Sequence, residues 1–161
     1  MQIEPNKTRL VEFGRFSYKH AIEKGKKMET VYFLGFTHYC TRNRKGNFMV
    51  GRKTEKTRLK RSMMKITDKM REIRHCSIEE QVNKINQILR GHYNYYGMGG
   101  NINSLFKLYN KVENYFKEML SSRSWKGKIN WDKYSKIKEK FPLLRPKLSI
   151  PFGKMKAYAM L

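Results

Sequence analysis

Between residues 59 and 119, apolar side chains return at steps of three and four, and that rhythm limits what the chain can become. Leu59, Met63, Ile66, Met70 and Ile73 form one stripe at helical spacing. Ile78, Val82, Ile85, Leu89, Tyr93 and Tyr96 form a second, opened by the capping box Ser77-Glu80 and stopped by the GMGGN of 97–101. Leu105, Leu108, Val112, Tyr115, Phe116 and Met119 form a third, for which Asn103 or Ser104 is the expected cap. After a loop at 121–128, Asn130 is expected to cap a short helix carrying Trp131, Tyr134, Ile137 and Phe141, ended by Pro142. Each stripe needs another to cover it, and short connections favour a bundle.

The first third reads as strand. Residues 8–13 place Val11 and Phe13 on one face, and the apolar run VYFLGFTHYC at 31–40 reads as one strand buried on both sides. TRNRKGN at 41–47 is turn chemistry, and FMVG at 48–51 returns as its antiparallel partner. The polar, Lys-rich segment 17–30 between the first two strands reads as a surface connection. The expected fold is mainly α, a three- to four-helix bundle preceded by a small antiparallel β portion. The boundaries are 1–53 for the β portion, 54–150 for the helices, with Thr54 as N-cap, and 151–161 for a tail.

Charge narrows the function. Thirty-six Lys and Arg stand against 13 Asp and Glu, a net charge of +23, and self-repulsion of that size calls for a polyanionic partner. Between 42 and 65 there are ten cations and one acid, Glu55. Arg42, Arg44, Lys45, Arg52 and Lys53 lie on the hairpin. Lys56, Arg58, Lys60, Arg61 and Lys65 lie along the first long helix, and Lys56 and Lys60 fall off its apolar stripe. A run of charge is ordinarily just a solvated face. Here the acids that would supply i,i+4 partners are missing, and the apolar face lacks the Trp or Phe of a membrane-surface helix. Phosphate contact is therefore expected, with Arg123 in the 121–128 loop as a further cation.

The words LRGHYNYYG at 89–97 divide by helical geometry. Leu89, Tyr93 and Tyr96 continue the stripe and read as core. Arg90, with His92 and Tyr95 flanking, is expected to face RNA, and Gly91 suggests a close approach by another backbone or by RNA.

Several chemistries find no support. There is no phosphate-binding glycine loop, no HExxH, and only two Asp, Asp68 and Asp132, so no catalytic or metal residue is assigned. His38, Cys40, His75 and Cys76 lack the ligand spacing of zinc sites. No segment reads as a signal or a membrane span, and cytoplasmic residence with reduced thiols is expected.

KTRLVEFGRF at 7–16, FLGFTHY at 33–39, the basic hairpin, LRGHYNYYG and FPLLRP at 141–146, in this order, resemble the C-terminal part of bacterial group II intron-encoded reverse transcriptase/maturases. The resemblance spans roughly 5–150. It implies that KTRLVEF (7–13) and FLGF (33–36) correspond to the last palm strands, strands 8–13 and 31–36 then leaving palm-facing edges unpaired, and that the helices from Thr54 correspond to the thumb, or maturase-specific, X domain. That domain grips intron RNA and assists its folding and splicing. The YxDD turn of the family's polymerase does not occur in this sequence. The implied function is RNA binding without catalysis of its own, and the alternative is the C-terminal subunit or fragment of a split RNA-directed DNA polymerase. Group II intron RNA is the implied partner, with a separate fingers/palm polypeptide and an RNA–DNA duplex as further ones. No cofactor is implied for this chain, Mg²⁺ belonging to the polymerase region and the intron RNA. A basic DNA-binding protein unrelated to introns is a third reading, without a helix-turn-helix or zinc-finger pattern to carry it.

Overall fold

The computed structural model describes residues 10–123 and 128–159. They divide into two compact units, Met1–Glu55 and Lys56–Leu161. In the first, a short helix α1 (Ser17–Glu23) precedes β1 (Thr30–Phe33), β2 (Phe36–Arg42) and β3 (Phe48–Thr54), which form an antiparallel sheet in the order β1-β2-β3.

Three expectations for this unit need correction. Residues 10–13 form no strand, and Thr8 and Arg9 lie outside the described residues. The Glu12 amide donates to the Glu29 carboxylate at 3.0 Å, and its own carboxylate is held by His20 and Lys24, so polar ties fix this segment. Part of the supposed connection at 17–30 is the helix α1. The run 31–40 is two strands, because Phe33 pairs with Phe36 and leaves a two-residue turn at Leu34-Gly35. Both turn residues have positive φ, 48° and 77°, the geometry that matches the twist of the flanking strands. The second hairpin follows the sequence reading. Arg42 pairs with Phe48. The Asn43 side chain accepts from the Lys45 and Asn47 amides, both at 2.9 Å, while Gly46 takes φ 78°.

Burial in this unit is thin. Phe36 and Cys40 are its buried apolar side chains among the described residues, while Tyr32, Phe33 and Leu34 at the β1 edge are each more than 60% exposed. The long apolar run is thus not buried on both sides.

The second unit holds α2 (Lys56–Glu72), α3 (Ile78–Tyr96), α4 (Ile102–Ser121), α5 (Trp131–Lys140) and α6 (Phe152–Ala159). Its core is the meeting of the three stripes. Ile66, Met70 and Ile73 pack with Val82, Ile85, Leu89 and Tyr93, and with Leu105, Leu108, Val112 and Phe116, all buried. Removing a ring such as Phe116, 1% exposed, costs about 3–5 kcal/mol, the transfer energy plus the cavity. From α5, Tyr134 enters this core with its ring edge-on to Phe116. Trp131 does not follow it: the indole is 55% exposed, with the Lys117 ammonium 4.0 Å from its ring centroid.

The ends of the helices separate good sequence signals from weak ones. The capping box forms as expected: Ser77 Oγ accepts from the Glu80 amide, and the Glu80 carboxylate accepts from the Ser77 amide. The Asn130 side chain accepts from the Lys133 amide at 2.9 Å. Thr54 is the buried last residue of β3, and α2 begins two residues later at Lys56. The cap position of α4 is Asn101, not Asn103 or Ser104. Its buried side chain donates backward to the Tyr96 carbonyl at 2.8 Å and makes no cap bond.

Beyond α5 the chain runs as a strap along α3. The Asn86 side chain donates to the Pro142 carbonyl and accepts from the Leu144 amide. Ser149 Oγ donates to the Tyr93 carbonyl. Gly97 and Gly99 then exchange backbone hydrogen bonds with Ile150 at 2.9 Å. A Cβ on Gly97 would lie 2.8 Å from the Ser149 amide nitrogen, so the strap closes only over a glycine. Residues 152–159 of the expected tail form α6, and 160–161 lie outside the described residues.

Candidate nucleic-acid interface

The cations singled out from the sequence fall in both units, and each group stands by itself. On the sheet, Arg44 and Lys45 are exposed in the 43–47 turn. Arg42 lies with its guanidinium 5.5 Å from the Tyr18 ring centroid, and the Lys53 ammonium sits 5.4 Å from that of Tyr39. Such stacking keeps a cation extended and partly desolvated without neutralising it. Arg52 is half-buried directly across from His38, and burial followed by this cation lowers the His38 pKa.

On the helical unit, Lys56, Arg58, Lys60, Arg61 and Lys65 are all exposed on α2, whose buried side carries Ile66 and Met70. The first turn of α2 contains no acid. The described ion pairs of this helix, Asp68–Arg71 and Lys69–Glu72, lie in its last turns. The first ten residues therefore form an acid-free cationic ridge whose potential adds to the positive end of the helix dipole.

The α3 stretch divides as its helical geometry predicts. Tyr93 is 1% exposed and donates to the Leu144 carbonyl at 3.1 Å, and burial, then Tyr109, pushes its phenol well above the ordinary range. Tyr96 is half-buried. Arg90 is exposed, and Tyr95 is 56% exposed with its ring edge-on to Tyr96, 4.7 Å between centroids. His92 is drawn inward instead. It lies 4.6 Å from the Tyr96 ring, its Nε2 is enclosed without a hydrogen-bond partner, and burial lowers its pKa to about 4. It is a neutral ring at pH 7 and carries no cation toward a phosphate. A Cβ on Gly91 would meet nothing within 4 Å, so no other described part of the protein makes the close approach its presence suggested.

Arg123 is placed by a different demand. Its Nη2 donates to the Arg74 and Cys76 carbonyls at 2.6 and 3.0 Å, while Arg74 Nη2 donates to the Ser122 carbonyl at 2.7 Å. The two arginine side chains thus cross, Arg123 to the backbone of residues 74 and 76 and Arg74 to that of Ser122, and fasten the α2–α3 turn to the end of α4. Gln81 completes the joint from inside, its buried amide donating to the Ile73, Arg74 and Cys76 carbonyls at 2.9 Å. These carbonyls lie just past the end of α2, where Ile73 also accepts from the Cys76 amide and the other two from Arg123. Gln81 sits in the first turn of a helix whose sequence only announces amphipathicity, so no pattern marks it.

Among the described residues no three His, Cys, Asp or Glu side chains gather to hold a metal, and no helix is long and apolar enough to cross a membrane. What the helical unit presents is a packed helical scaffold with exposed cations along the first half of α2.

The family-model comparison gives this scaffold a narrower identity. Residues 59–140 match the maturase-specific domain of group II introns, just over half of the 161 residues and the span from α2 through α5. The chain belongs to the group II intron maturase-specific domain family. No curated protein and no solved structure matches it.

Proposed function

We propose that the chain binds group II intron RNA through the maturase-specific unit and assists its folding toward splicing, acting by binding rather than by catalysis of its own. The observation that carries this reading is the acid-free ridge Lys56, Lys60, Arg61 and Lys65 on the exposed side of a helix that the family match includes from Leu59 onward. Phosphates supply the counter-charge that the helix lacks, and they do so without reading sequence. Arg90 and Tyr95 add a second point of attachment. Tyr95 stands one turn beyond Gly91, where open space leaves room for an RNA backbone or an unpaired base.

The test is the triple variant Lys56→Glu/Lys60→Glu/Arg61→Glu, titrated with group II intron RNA at several salt concentrations. Affinity at low salt should fall about 100-fold, and the slope of log affinity against log salt should shrink by about 0.7–0.9 for each phosphate that the variant no longer neutralises. Unchanged affinity and slope in a folded variant would remove the ridge from the interface.

A further inference from the structure

Within the first unit, α1 and the β2–β3 hairpin enclose a pocket of about 700 Å³. That volume lies within the range of small-ligand sites. Its lining combines two chemistries. Tyr18, Met28 and Phe48 give apolar and aromatic wall, while Arg15 and Arg42 give charge, and among the described residues no acid lines it. Arg42 and Phe48 face each other across the hairpin, and the Arg42 guanidinium rests over the Tyr18 ring. A planar cation on a planar ring is a stack that a nucleobase can extend, and a second arginine beside it can hold a phosphate through paired N–H donors.

We infer that this pocket takes one unstacked nucleotide of an RNA strand, its base against the Tyr18–Arg42 stack and Phe48, its phosphate on Arg15 and Arg42. The inference rests on the RNA-binding reading above and adds to it a preference for unpaired strands. A base inside a duplex is stacked on both faces and cannot enter. The turn that helps line the pocket through Gly46 and Asn47 also carries exposed Arg44 and Lys45, which suits a ligand continuing as a strand beyond the pocket.

The probe is a twelve-nucleotide oligouridylate with one central 2-aminopurine, offered to the full chain alone and annealed to its complement. The single strand should bind with a change in 2-aminopurine fluorescence. Tyr18→Ala should weaken it about tenfold, the scale of removing one base stack, while duplex binding changes less than twofold. Tyr18→Phe should bind as wild type, and Phe48→Leu, which keeps apolar volume but removes the ring, should weaken the single strand alone. Equal losses for single strand and duplex, or no loss in either variant, would overturn the pocket while leaving general RNA binding intact. Adenosine monophosphate binding as tightly as the oligonucleotide would replace the strand site with a free-nucleotide site. A wild-type chain that binds neither probe would remove the RNA-binding reading itself.

Discussion

Helices α2 and α3 lie side by side in one core, yet they begin in opposite ways. The first turn of α3 carries Glu79 and Glu80, and the capping box returns a carboxylate to the helix end. The first turn of α2 carries Lys56 and Arg58 with no acid at all. The dipole of a helix favours anions at its start; α3 places two within its first turn, whereas at α2 the acid is Glu55, the residue before the helix, and the first turn itself carries cations. The difference teaches where to look for a ligand. A helix start rich in acids suits its own dipole, and one rich in cations is where the proposed RNA contact can be tested.

Making α3 begin like α2 should have the largest effect. Glu79→Lys/Glu80→Lys removes the capping box and reverses the favourable charge, which should cost about 2 kcal/mol in urea unfolding while leaving affinity for intron RNA at or above its original value. A stable variant with weakened RNA binding would erase the distinction between the two helices.

His92, on the far end of α3, tests how fully this helix is committed to the core. Its ordinary pKa of 6.5 falls to about 4 in the fold, so the unfolded chain takes up the proton first. Stability is complete above about pH 6.5 and is lost as pH falls toward 4. His92→Phe should remove about 1–2 kcal/mol of that acid loss, allowing for the ring's partial exposure, in unfolding curves compared at pH 7 and pH 4.5. An unchanged pH dependence would mean that the ring takes up its proton as readily in the fold as in the unfolded chain.

Gly91→Ala should raise stability by about 1 kcal/mol, since the added methyl meets nothing and a helical glycine is costly. If RNA approaches there, affinity drops as stability rises. Smallest of all, Lys56→Glu should stabilise α2 by about 0.5 kcal/mol through the dipole and still weaken RNA binding, so that the two measurements move in opposite directions. Parallel movement would show the ridge to be structural.

How much could be read in advance follows from the range of the forces involved. The helical stripes, the Ser77-Glu80 box and the Asn130 cap are local, each complete within a few residues, and the structure keeps all of them. The β1–β2 hairpin was hidden by its composition. Leucine rarely takes positive φ, so Leu34-Gly35 reads as the middle of a strand rather than as a turn. The place of Arg123 depends on the end of α4 meeting the α2–α3 turn, more than forty residues away, and no local pattern can announce that; Gln81 bonds only five to eight residues back, but in a geometry set by the turn rather than by any residue pattern. Of the candidate RNA-facing residues, the exposure of the α2 cations was legible because the apolar stripe fixes which side of the helix is left for water. The inward turn of His92 was not, since at 3.6 residues per turn it sits at the border of the stripe and the neighbouring rings decide.

The crossed bonds between Arg74 and Ser122, and between Arg123 and Arg74 and Cys76, carry a consequence for local opening. Neither the last turn of α2 nor that of α4 can fray without breaking bonds held by the other. Backbone amides around 70–76 and 119–123 should therefore exchange hydrogen as one cooperative unit, slowing or quickening together; Arg74→Ala removes only the bond to Ser122, and Arg74→Ala/Arg123→Ala should release both ends at once.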